Sequence, residues 1–375
     1  MARLAEPIDG QRGHFSVHQQ LWQTFGNIAF LPPPSTAAAN SANLKAAIAD
    51  AISGGFGSTV FIPPETYLLN DYHTIANVSG LRIVGAGHRS RLVSTLNDVN
   101  HAVLEFDDVR QSYTANLYMG FNATIGGAIR FRNVTGGSVT PSMNTTENVH
   151  IECAGKVQFP LILGGIGNTD ANNDFNVFRD VYAIGYTKSG CYLRVISQSY
   201  GNQFEDCYFF GGAGAEHAVN AGGGFAGNFA WRGGFVGGHT VSDFNIGRSY
   251  QPFVIDGVNS ENSARFLTLD GQAYMNLSVR NSRWAGNAAH ADGKIIKLSG
   301  NVLANFEDNS FGDGSGDRAL TIELATLSAV SHVRFARNRV YSSAASVFDT
   351  TAPHELVGNQ KITNEGNGTT MVLTL

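Results

Sequence analysis

A short internal repeat limits what this chain can become. Asn148-Val149-His150-Ile151-Glu152-Cys153 aligns with Asn176-Val177-Phe178-Arg179-Asp180-Val181. Further copies are Asn202-Gln203-Phe204-Glu205-Asp206-Cys207 and Asn228-Phe229-Ala230-Trp231-Arg232-Gly233, at separations of 28, 26 and 26 residues. Later copies lose the Asn but keep the pattern, through Val254-Ile255-Asp256, Val279-Arg280-Asn281, Phe306-Glu307-Asp308 and Phe335-Ala336-Arg337. Half a period on, a second apolar stretch recurs, as in Phe159-Pro160-Leu161-Ile162, Cys191-Tyr192-Leu193-Arg194 and Lys294-Ile295-Ile296-Lys297-Leu298. These stretches are short, alternating or apolar, and bounded by Gly, Asn, Asp and Ser, which marks strands between turns. Such a repeat is too short for a propeller blade and too strand-rich for helical repeats. The fold it predicts is all-β: a right-handed single-stranded parallel β-helix, each turn rising by about 4.8 Å.

Residues 59–362 have room for about eleven turns of such a rod. Its ends need covering, because a terminal coil presents unpaired backbone groups. Asn43 to Ile52 reads as an amphipathic helix, with Leu44, Ala47, Ile48, Ala51 and Ile52 on one face. It places an N-terminal capping helix within 41–58. Residues 1–40 form an arm for attachment or packing, ending near Leu31-Pro32-Pro33-Pro34, and 363–375 form an extended C-terminal β tail.

Composition narrows the function classes. Hydrophobic residues at 43% exclude a disordered chain, and 44 glycines without a three-residue period exclude collagen. With 25 basic against 30 acidic residues and no basic cluster, nucleic acid is not an expected partner. Cys153, Cys191 and Cys207 lack metal-ligand spacing, so no metal and no cofactor are expected. No apolar run reaches membrane length, and the first residues lack a signal-peptide core. The expected location is extracellular or on a virion, reached without a signal peptide and without membrane insertion.

Ala46-Ala47-Ile48 followed by Thr59-Val60-Phe61-Ile62-Pro63-Pro64-Glu65-Thr66-Tyr67-Leu68-Leu69 resembles the opening of pectate-lyase-like right-handed β-helices. Val78-Ser79-Gly80-Leu81-Arg82-Ile83-Val84-Gly85-Ala86-Gly87 resembles their next turn, and Glu65 stands where that family usually has Gly. Gly201-Asn202-Gln203-Phe204 and Asn228-Phe229-Ala230-Trp231-Arg232-Gly233-Gly234-Phe235 are similar in style to phage tailspike and tail-fibre β-helices. The tailspike resemblance implies a homotrimer that binds, and in many cases cuts, a bacterial surface polysaccharide.

One position of the repeat reads Glu152, Asp180, Asp206, Arg232, Asp256, Asn281 and Asp308. Asp and Asn tolerate left-handed backbone, so this column is expected to serve turns first. Asn148, Asn176, Asn202 and Asn228 are expected to form a second ladder. One step earlier, Arg179, Glu205 and Trp231 are expected side by side on an exposed face, flanked by Arg232. There Trp231 would stack on a sugar while Arg179 and Arg232 bind its polar groups. Asn168-Thr169-Asp170 resembles the first acidic motif of polygalacturonase-type glycosidases, and Gly238-His239 part of another, but the paired-Asp motif between them is absent. Candidate acids and bases are therefore Asp170, Asp174, Glu205, Asp206, Glu216, His217 and His239, the last three around the glycine-rich segment 211–227.

Three functions stay open. The first is a trimeric phage-type tail protein recognising, and in some forms degrading, a surface polysaccharide, with residues 1–40 meeting other virion proteins. The second is a stand-alone polysaccharide lyase or glycoside hydrolase. The third is a non-catalytic structural or adhesive β-helix.

Overall fold

The computed structural model describes residues 28–134, 142–164, 173–194, 199–286, 292–312, 318–327, 331–348, 353–365 and 369–374. They form a parallel β-solenoid of about ten turns with one helix near the N-terminus. Each coil contributes strands to three faces. Face one includes Thr59–Ile62, Gln203–Glu205 and Ala230–Arg232. Face two includes Thr66–Leu69, Tyr208–Gly211 and Phe235–Gly237, and face three His73–Ala76, Ile125–Arg132 and Ser189–Arg194. Longer strands such as Val177–Tyr186 run through a bend and serve two faces.

Alternation sends every second side chain inward. Phe131 meets Phe178, and Phe178, Phe204 and Trp231 stack on successive coils with centroids 4.6 and 4.9 Å apart. The three cysteines are buried and unpaired.

Columns of polar side chains enter the core to repair bends. Ser112, Asn144, Asn176 and Asn202 form a buried column where face three turns into face one. Each Asn Oδ1 accepts the backbone N–H of the residue one coil earlier, at 3.0–3.2 Å. Ser282, Asn309, Asn338 and Asn359 repeat the device at the bend between faces one and two. The expected Asn column was thus correct at Asn176 and Asn202. Asn148 and Asn228 instead adopt left-handed backbone, at φ 49° and 52°, as bend residues.

The rod's ends close differently. Helix α1 (Ala37–Ser53) is capped by the Thr36 side chain and covers the first coil with Leu44, Ala47, Ile48 and Ala51. It starts earlier than the sequence reading placed it, because Ala37-Ala38-Ala39 extends it without adding apolar periodicity. Strand Ile28–Phe30 pairs with Thr59–Ile62, so part of the arm belongs to the sheet. At the other end, Thr369–Thr374 returns antiparallel along Gln360–Glu365.

Candidate functional site

The end of face one carries a column of alternating charge. The register stacks Glu147, Arg179, Glu205, Arg232, Asp256, Arg280 and Glu307 on successive coils. Arg179 lies 2.8 Å from Glu205 and 3.6 Å from Glu147, and Arg280 lies 2.8 Å from Asp256. Hydrogen bonding to Glu205 raises the Arg179 pKa further.

This register overturns one expected placement. Trp231 pairs with Phe204, not Glu205, and is 0% exposed, so it cannot stack on a sugar. Its indole N–H donates to the Gly233 carbonyl at 3.0 Å. Arg232, exposed, takes the outward position beside Glu205. Asp180 and Asp206 sit one residue on, at φ 49° and 50°, followed along the same bend by Gly233, Gly257, Asn281 and Asp308. The turn role expected of Asp180, Asp206, Asn281 and Asp308 matches this geometry. Glu152, Arg232 and Asp256 do not belong to that column.

Across the bend, face two bears a second outward column that the sequence reading missed. Tyr118, His150, Tyr182, Tyr208 and Phe235 stack ring on ring over five coils, with centroids 4.7–5.9 Å apart and interplanar angles of 2–17°. Arg91 lies over Tyr118 at 4.2 Å. Each ring covers its neighbours' faces, so the column shows solvent mainly edges and hydroxyls. The signal was present as an aromatic two residues after each left-handed bend.

The histidines go elsewhere. His239 is buried, its Nδ1 2.6 Å from Asp243 and its Nε2 2.5 Å from the Tyr186 hydroxyl. Ser260 and Ser263 donate to the same Asp243 carboxylate. A group sealed this way cannot touch a polysaccharide, which corrects its place among the candidate acids and bases. His217 is also buried, its Nδ1 3.0 Å from the Ser242 carbonyl, and burial pushes its pKa down to about 4. It too lies out of reach of substrate. Glu216, half-buried, pairs with Lys188 at 3.0 Å.

Asp174 stands apart at the bend from face three to face one. Its Oδ1 accepts the Tyr200 N–H at 2.8 Å, and burial raises its pKa above the ordinary carboxylate value. Asp170 lies outside the described residues. The geometry therefore joins Arg179, Glu205, Asp206 and Arg232 in one surface and leaves Asp174 and Glu216 at separate bends. Among the described residues no group of His, Cys, Asp and Glu could hold a metal ion, and no helix is long and apolar enough to cross a membrane.

Known structures share this architecture. A tailspike of Acinetobacter phage vb_AbaP_AS12 matches with a TM-score of 0.61 at 9% identity, over 93% of this chain and 64% of that one. A mutant tailspike of E. coli bacteriophage HK620, in complex with a hexasaccharide, matches at 0.54 and 16% identity, over 87% of this chain and 62% of its own. The chain thus spans a little under two thirds of the length of either. No family model and no curated protein matches the sequence. The fold is that of the parallel β-helices to which these tailspikes belong, in keeping with the pectate-lyase-like opening of the sequence.

Proposed function

We propose that this chain is the β-helical rod of a tailspike-type protein that recognises a bacterial surface polysaccharide. The observation that carries this reading is the repeating outward surface at the bend between faces one and two. A charged column and an aromatic column run side by side there, one set of groups per coil. With coils about 4.8 Å apart, such a surface suits a ligand that repeats. Arg179, Glu205, Arg232 and the Tyr182 and Tyr208 hydroxyls supply donors and acceptors for sugar hydroxyls. The likeness of fold to two phage tailspikes supports the reading. Assembly as a homotrimer, attachment of residues 1–40 to other virion proteins and a place on the virion outside the cell are part of the proposal.

A second reading, a depolymerase, is favoured by Asp174. A half-buried carboxyl whose pKa is raised by burial is suited to protonating a leaving glycosidic oxygen. Light scattering and a microarray of bacterial surface glycans test the first reading. A mass near three times 40.0 kDa together with glycan retention is expected. A monomer that retains no glycan would overturn it. Release of new reducing ends by the wild type and not by Asp174→Asn would establish the second.

A further inference from the structure

Two aromatic rings lie at the bend from face three to face one, and they differ in kind from the stacked column. Tyr200 pairs in register with Gly227 on the next coil. A Cβ added to Gly227 would lie 2.4 Å from two Tyr200 ring atoms, so the ring packs closely against that backbone. Phe175 does the same one coil earlier, where a Cβ on Gly201 would come within 2.4 Å of its ring. The two residues are joined directly, the Phe175 N–H donating to the Tyr200 carbonyl at 2.6 Å. Among the described residues neither ring stacks on another aromatic. Each ring therefore packs against glycine backbone rather than on another aromatic, and Phe175 is 50% exposed, whereas Tyr182 and Tyr208 use their faces on each other.

We propose that Phe175 and Tyr200 form a two-ring platform on which consecutive pyranose units of the polysaccharide stack, with the Asp174 carboxyl beside them to bond a sugar hydroxyl. This rests on the polysaccharide reading above and adds to it a second contact surface, at the other end of face one. The apolar CH face of a pyranose stacks on an open aromatic face. The rings sit on neighbouring coils, about 4.8 Å apart along the rod, close to the advance of one sugar unit.

Backbone strain gives the second argument. Phe175 holds φ 54° and is 50% exposed. Gly201 and Asn228 occupy the equivalent bend on the next two coils, and they suit left-handed backbone better. A bulky apolar side chain kept in a strained, exposed position points to a contact made outside the rod. Two rings on the outside of a bend offer little area for a stable protein partner but enough for two sugars. Asp174 fits this use, since its Oδ1 already accepts from Tyr200 and the protonated form favoured by burial can donate.

The test compares variants on the same glycan microarray, with thermal melting as the check on folding. Phe175→Asn removes the ring while suiting the bend, and Tyr200→Ala removes the other. Each is expected to weaken retention of the wild-type glycan about tenfold. Phe175→Tyr, which keeps a flat ring, should retain it. Folded Phe175→Asn and Tyr200→Ala proteins that bind like the wild type would overturn the platform and leave the polysaccharide reading intact. A fall in molar mass in these variants would also overturn it, by making the rings a subunit contact. A wild type that retains no glycan removes both.

Discussion

Trp231 shows how much one residue of register decides. From Asn202 to Asn228 is 26 residues, but the coil from Phe204 to Trp231 takes 27, because Asn228 occupies the bend position of Gly201. A period-2 pattern slipped by one residue exchanges inside for outside. That slip put Trp231 on the surface in the sequence reading and hid the run of alternating signs from Glu147 to Glu307. The run was itself the cue, since like charges on adjacent coils repel and opposite ones pair. The platform left a similar trace, an aromatic at 175 and 200 followed one coil later by Gly201 and Gly227.

Buried histidines carry a further residue-scale consequence. Burial holds His73 and His217 near pKa 4, against the ordinary 6.5. The charged Lys45 and Asp71 act on His73, and His239, Glu216 and Asp243 act on His217, each less than burial does. A base depressed in the fold is neutral there while the unfolded chain takes up its proton. Stability is therefore full above pH 6.5 and falls as pH drops toward 4, by about 3 kcal/mol for each histidine. Urea midpoints at pH 7, 5.5 and 4 should fall steeply for the wild type. They should fall less for His73→Gln/His217→Gln, and equal slopes would place the acid sensitivity elsewhere.

Columns, rather than residues, hold the bends. The Asn176 Oδ1 accepts both the backbone N–H and the Nδ2 of Asn144, while its own Nδ2 donates to Asn202 and Asn173. Asn176→Ala leaves these buried partners unmatched, and a buried orphan costs about 1–3 kcal/mol. The charged column is exposed, so Arg179→Ala should cost under about 1 kcal/mol although it breaks two ion pairs. Chemical denaturation of both variants should separate them in that order. The reverse order would make the charged column the fastening of the rod. Sequence spacing found the Asn column only where coil lengths were equal. Asn144 to Asn176 is a coil of 32 residues, so equal spacing points to the nearer Asn148 instead.

At the scale of the whole rod, each coil touches only its neighbours, so the ends limit stability. The strand rhythm and the capping helix were legible because both are periodic, whereas the way the helix joins the rod was not. Helix α1 supplies more than apolar cover. Asn40 donates its Nδ2 to the Leu68 carbonyl at 3.1 Å, and the Ser41 hydroxyl accepts the Asn70 N–H at 3.0 Å. These side chains stand in for a missing coil along face two, while strand Ile28–Phe30 does so along face one. Leu44, fully buried, holds the helix down. Leu44→Asp puts an unpaired charge under the helix and should lift it, opening Thr66–Leu69 and His73–Ala76 at their outer edge. Hydrogen exchange should rise in those two strands and stay unchanged in Arg283–Ala285, many coils away. Light scattering should show added association through the freed edge. Loss of protection along the whole rod would instead mean that the coils unfold as one unit and that α1 secures all of them.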